Sequence, residues 1–200
     1  MNKDIITIGI GGGGINIIND LARRNLVDSD FLVIDTDLQS LNQCCINEKL
    51  LIGERGLGLG FNLSKEELER DLEKIKPDLK HRIADHKEII VISCLGGKTG
   101  SLVILYVLEV IKELQIPSLA ICITPFSVEN KLKHSFSLSC LHEIDCMKQE
   151  KYILKNDDVL NLNIENKPIK ECFSLYNEKI VKIINSFKEN PNFLKCPFLT

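Results

Sequence analysis

The sequence predicts an α/β fold, a doubly wound, mostly parallel sheet of the Rossmann-like kind that ends in a long helix. Three observations predict it. Short β-rich runs alternate with helical segments along the chain. Two of the runs, 89–94 and 119–124, are apolar almost throughout, as strands buried on both faces are. Glycine-rich turns leave two of the strands and open directly into helical stretches.

The elements follow in order. Residues 5–10 form the first strand, and 14–24 a helix with Ile15, Ile18, Leu21 and Ala22 near one face. Strands follow at 31–34 and 50–52. Ser64 suits a helix N-cap, and Glu67 three residues later completes a capping box. That helix is expected to break at Pro77, which lacks the N–H that the ladder needs. Between the two apolar strands, residues 101–114 read as a helix. After Pro125 a helical stretch runs to about Met147, and a strand follows at 152–154. The last helix spans about 168–187, with Pro168 in its first turn and Asn190-Pro191 as its stop. No repeat, low-complexity tract or linker divides the chain. Residues 1–190 are expected to form one domain and 191–200 a short tail.

Composition narrows the function classes. A net charge of −3 argues against a bulk electrostatic grip on nucleic acid or on an anionic membrane. No run reads as a signal peptide or a membrane span, so a cytoplasmic protein is expected. None of the eight cysteines forms a Cys-x-x-Cys pair, and none has zinc spacing with histidine. Cys94 and Cys122 sit in apolar runs and read as small core residues, Cys140 and Cys172 fall in helical stretches, and Cys44-Cys45 has no obvious partner. Reduced thiols are the expectation.

Two loops carry the chemistry. The first runs through Gly9, Gly11, Gly12, Gly13 and Gly14, between a strand and a helix. Glycine lets backbone approach a phosphate, and a helix start adds free N–H groups and partial positive charge. Alone this pattern also fits a dinucleotide-binding oxidoreductase, with Asp35 or Asp37 as the acid on the adenine ribose. The second loop, Gly96-Gly97-Lys98-Thr99-Gly100-Ser101, also joins a buried strand to a helix. Two phosphate cradles at one sheet edge suit a polyphosphate gripped from two sides. The second loop is not a Walker A sequence, because Ile92 stands where the first glycine is required.

The order of motifs resembles the FtsZ/tubulin family. The resemblance rests on the first glycine loop with Asn16, on Asp35-Thr36-Asp37 with the residues after it, and on Arg55-Gly56-Leu57-Gly58-Leu59-Gly60. It rests further on the second glycine loop, on Thr124-Pro125-Phe126 with Glu129, on Asn156-Asp157-Asp158, and on the stretch from Glu171 to Asn177. It implies GTP or GDP as ligand, with Mg2+ accompanying GTP. Gly12, Gly13, Gly14 and Asn16 would then hold phosphates and the neighbouring ribose. Gly56 would lie near the γ-phosphate, and Gly96, Gly97, Lys98, Thr99, Gly100 and Ser101 would bind phosphate. Glu129 would accept from the ribose hydroxyls, with Lys133 as a nearby basic residue. Asn156 and Asn177 would read guanine, and Phe173 would stack on the base. Apart from the resemblance, Phe173 reads as a core aromatic, Asn156 as a turn residue and Asn177 as a solvated helix position.

The sequence also departs from the family's pattern. Lys98 and Leu102 stand where glycines are usual. Lys98 could add a charge-assisted phosphate bond, or clash if its position needs a positive φ. The family's long helix is followed by an acidic loop that completes the neighbouring subunit's site, and no carboxylate follows Glu189 here. The expectation is therefore a nucleotide-binding half with weak or partner-dependent hydrolysis and no identified catalytic residue. It would be linked to bacterial cell division or cytoskeletal filaments, with a full-length FtsZ or another filament subunit as its partner. The alternatives are the oxidoreductase and a module that kept the fold and lost its ligand.

Overall fold

The computed structural model describes residues 3–53, 64–161 and 168–189. Six strands form one sheet: β1 (Ile5–Ile10), β2 (Asp30–Asp35), β3 (Lys49–Leu51), β4 (Glu88–Cys94), β5 (Ser118–Thr124) and β6 (Lys151–Lys155). Their order across the sheet is β3-β2-β1-β4-β5-β6, and every pairing is parallel. The helices are α1 (Gly11–Arg23), α2 (Leu38–Gln43), α3 (Lys65–Ile83), α4 (Lys98–Glu113), α5 (Lys131–Cys146) and α6 (Ile169–Glu189). A 3-10 turn, Asn156–Asn161, follows β6.

Alternation along the strands builds two cores. On one face Ile90 and Ile92 of β4 pack with Ile18 and Leu21 of α1 and with Tyr176, Ile180 and Ile184 of α6. On the other, Ile89 and Val91 meet Leu72 and Leu79 of α3, Val107 and Ile111 of α4, and Ile144 of α5. The central strands are buried along β1 and through all but the end residues of β4 and β5, so their sequences are apolar on both faces. Tyr176 sits deep in the first core, and its hydroxyl donates to the Lys155 carbonyl at 2.7 Å.

Several boundaries differ from the sequence reading. The α3 helix does not break at Pro77 but runs through it. Leu68 and Leu72 on one side of the proline, and Leu79 and Ile83 on the other, are buried along one face, so packing holds the two halves in line. The α1 helix starts at Gly11 rather than residue 14, and α4 at Lys98 rather than 101. Residues 126–130 form a turn before α5, and the short α2 lies in a stretch to which no element had been assigned. The N-terminal capping box of α3 is present, with both Ser64 and Glu67 bonded. Gly56, the rest of its loop, the Asn190-Pro191 stop and the tail lie outside the described residues.

Candidate functional site

The strand order reverses direction between β1 and β4, because α1 leaves β1 on one face and α4 leaves β4 on the other. Ligand crevices of open α/β sheets form at this point, beyond the carboxyl ends of the strands. Both helix starts open there. The α2, α3 and α5 helices are capped by the side chains of Asp37, Ser64 and Asn130, whereas α1 and α4 receive no side-chain cap. Two uncapped helix starts converge on one crevice of about 310 Å3. Helix starts of this kind suit an anion, through their unpaired N–H groups and aligned dipoles.

The glycines of the two loops divide into two groups. A Cβ on Gly12 or Gly97 would meet no protein atom within 4 Å, so these two leave room for a ligand to touch backbone. A Cβ on Gly13 would lie 2.5 Å from Cys94 Sγ, on Gly14 2.7 Å from the Ile92 carbonyl oxygen, and on Gly100 2.3 Å from the Cys94 carbonyl oxygen. These three let the loops pack against the end of β4. Gly96 is held by a φ of +99°, which favours glycine. Lys98 has no such constraint. It is the exposed first residue of α4, after Gly97 in extended conformation (φ −88°), so the position accepts a side chain without strain.

Hydroxyls tie the loops together. Thr99 and Thr36 share a 3.0 Å hydrogen bond between their Oγ1 atoms, joining α4 to the end of β2. Ser101 is buried and accepts from the Gly96 N–H at 2.9 Å, so it shapes the loop rather than lining the crevice. Cys94 packs partly buried against the core, as the sequence reading expects, and also lines the crevice against Gly13. Burial pushes its thiol up to about 12, so it stays protonated. Two carboxylates also line the crevice. Asp35 is buried and accepts from the Thr36 N–H at 2.7 Å, and burial raises its pKa above the ordinary carboxylate value. Asp37 is held below that value by the Ser40 hydroxyl and the Gln39 N–H as it caps α2.

The other implied residues lie on neighbouring elements. Asn16 is exposed on α1, one turn past the glycine loop. Asn177 on α6 is only 5% exposed, and its Nδ2 donates to Asp20 Oδ2 of α1 at 3.0 Å. It is therefore not a solvated helix position. Phe173, one turn earlier on α6, packs partly buried against the core and meets Phe126 edge-on at 6.4 Å. Phe126 N–H donates to Glu129, whose carboxylate also pairs with Lys133 and is held low chiefly by that lysine. Asn156 begins the 3-10 turn, and its neighbour Asp157 accepts from the Ser127 N–H and hydroxyl, pinning this turn to the segment after β5. The sequence reading did not single out Asp20 or Arg24. The spacing of Asp20 four residues after Asn16 was the available signal.

The Tubulin/FtsZ family GTPase-domain model matches residues 4–163. The cell division protein FtsZ of Buchnera aphidicola is 28% identical over 194 residues, covering 94% of this chain and 49% of that protein. FtsZ of Aquifex aeolicus is 28% identical over 202 residues, covering 97% and 54%. The chain thus spans about half the length of the curated relatives it matches. Among solved structures, an FtsZ mutant from M. jannaschii superimposes with a TM-score of 0.75 at 26% identity, over 92% of this chain and 55% of that one. CetZ2 from Haloferax volcanii, a GTPgS-bound protofilament, shares the fold with a TM-score of 0.73 at 19% identity, over 91% and 57%. With its domain model matched over most of its length and its parallel sheet shared with FtsZ structures, this chain belongs to the tubulin/FtsZ family.

Proposed function

We propose that this chain binds GTP and GDP in the crevice between α1 and α4, and that it works in the cytoplasm with a filament-forming partner of its own family. The observation that carries this reading is the convergence of two uncapped helix starts on one crevice, with Gly12 and Gly97 open toward it. One such helix start can hold one phosphate group. Two on opposite sides of a crevice suit a chain of phosphates. Lys98 at the lip of α4 would add a charge-assisted bond to a phosphate oxygen. Asn16 and Glu129 would meet the ribose, and Asn156, Phe173 and Asn177 would surround the base.

A magnesium ion with GTP fits the donors present. The Asp35 carboxylate and the Thr36 and Thr99 hydroxyls line the crevice, and all are hard oxygen ligands. Among the described residues no group of three or more His, Cys, Asp or Glu could hold a metal ion unaided. The phosphates would have to complete its coordination, and the ion would neutralise their charge. Hydrolysis by the isolated chain is expected to be slow. The two carboxylates of the crevice are already engaged with backbone and hydroxyl groups and are poorly placed to take a proton from water.

Calorimetric titration with GTP, GDP, ATP and NAD tests the reading. Guanine nucleotides should bind most tightly, and at about a hundred times the dissociation constant they should stabilise the fold by about 2.7 kcal/mol. Equal or tighter binding of ATP would remove the guanine assignment. Preference for NAD would instead favour the dinucleotide reading of Asp35.

A further inference from the structure

A four-residue interval repeats on two facing helices. Asn16 and Asp20 lie one turn apart on α1, and Phe173 and Asn177 one turn apart on α6, both helices packing on the same side of the sheet. Across the gap, Asn177 Nδ2 donates to Asp20 Oδ2 at 3.0 Å. The oxygen and nitrogen of an amide are nearly alike in shape, but chemistry decides between them here. An ionised carboxylate can only accept, so the amino half of Asn177 must face Asp20. The carbonyl half, Oδ1, is what remains to offer.

Asp20 is itself fixed. Its Oδ1 accepts from the Ser174 hydroxyl at 2.9 Å, and Arg24 approaches its Oδ2 at 3.3 Å. Arg24 is anchored in turn to the Ser174 carbonyl at 3.0 Å and to Glu178 at 2.9 Å. Asn177 therefore cannot rotate its amide without setting its carbonyl oxygen against a negative charge. Among the described residues no donor reaches Asn177 Oδ1, and this oxygen is not one of the sealed, unpaired polar atoms.

We propose that Asp20 is a positioning residue that sets base selectivity. By holding the Asn177 amide in one orientation it presents a hydrogen-bond acceptor to the base. Guanine offers N–H donors at N1 and at its 2-amino group, whereas adenine offers an acceptor at N1. A fixed acceptor favours the first and opposes the second. This rests on the reading of Asn177 as a base contact.

The test compares GDP and ADP affinity in the wild type, Asp20→Asn, Ser174→Ala and Asn177→Ala, each checked for folding by circular dichroism and thermal melting. Asp20→Asn keeps the shape, but its own amide can either donate or accept, so both orientations of Asn177 become available. The preference for GDP over ADP should fall by about tenfold in Asp20→Asn, and in the same direction but less in Ser174→Ala. If Asp20→Asn does not fold, Ser174→Ala carries the test. An unchanged preference, or GDP and ADP affinities falling by the same factor, would overturn the proposal and leave Asp20 a structural residue. A wild type without GDP preference, or an Asn177→Ala variant that keeps it, would overturn the underlying reading of Asn177 and this inference together. Loss of the preference in Asn177→Ala but not in Asp20→Asn would overturn this inference alone.

Discussion

A buried carboxylate in an anion-binding crevice is a conflict at the residue scale, and Asp35 is that residue. It lines the same space as Gly12 and Gly97, and burial raises its pKa. The sign of the consequence follows. Unfolded, Asp35 ionises at the ordinary carboxylate pKa; folded, it ionises only at a higher pH. Above the unfolded value the fold must carry a charge that it disfavours, so Asp35 lowers stability as pH rises from there through its folded pKa, and the loss then levels off. Asp35→Asn removes that term and keeps an oxygen for the Thr36 N–H. Its melting temperature should exceed the wild type's at pH 7, by about 2–4 °C for each kcal/mol relieved, and the gap should narrow on acidification and close only below the ordinary carboxylate pKa. The same variant should bind GDP more tightly in the absence of a divalent cation. Melting curves across pH and titrations in chelator would check both, and a constant gap at all pH values would contradict the assignment. The sequence made Asp35 visible as an acid at a strand end, but not its burial, which depends on how β2 sits beside the second loop. The reading of Asn177 as a solvated helix position failed for the same reason, since its partner Asp20 is 157 residues away along the chain.

At the scale of elements, the strands were legible and the starts of the two functional helices were not. Apolar runs mark buried strands because both faces of the sheet are covered, and that signal survives in the sequence. Helix starts were sought where glycine ends, since each glycine costs a helix about 1 kcal/mol relative to alanine. The fold accepts that cost at α1 and α4 because the loops must pack closely on β4 and leave backbone open to a ligand. Pro77 was misjudged on similar grounds, as local preference yielded to the buried face of α3. The six residues of α2 are too few to display a period. Two glycine substitutions separate packing from binding. Gly100→Ala would drive a methyl against the Cys94 carbonyl, a backbone atom that cannot move aside cheaply. It should cost about 1–3 kcal/mol of stability. Gly97→Ala enters open space at an ordinary φ, so it should cost less than about 1 kcal/mol. It should nevertheless weaken GDP binding about tenfold, because its methyl group would stand where a phosphate approaches the backbone. Chemical denaturation and calorimetry on the two variants would check the contrast. Equal losses of stability would mean that Gly97 is a packing residue too.

For the whole molecule, the order of strands places the crevice and both glycine loops at one edge of the sheet. That edge also carries exposed apolar side chains: Val128 is 90% exposed, Leu132 71% and Leu160 65%, and all three lie on segments that follow β5 or β6. Apolar groups around a polar crevice suit a second protein seated over the bound nucleotide. Within the crevice the carboxylates of Asp35 and Asp37 are committed to the fold, so a group that activates water would have to arrive with that second protein. A head-to-tail assembly needs two different complementary surfaces, and here the nucleotide-bearing one is recognisable. The purified chain is therefore expected to release phosphate from GTP slowly, and to do so faster when a full-length FtsZ from the same cell is added. Substoichiometric amounts should also shorten that FtsZ's polymers, because the apolar rim of the crevice would compete for the surface that seats over the next subunit's nucleotide. Replacing Val128 and Leu132 together by serine should abolish both effects and leave GDP affinity within about threefold, since neither residue lines the crevice. Light scattering and phosphate release, measured for each protein alone and for the mixture, decide the matter. Vigorous GTP-dependent polymerisation of this chain by itself would mean that it supplies both surfaces, and the expected shortening of FtsZ polymers would have to be abandoned.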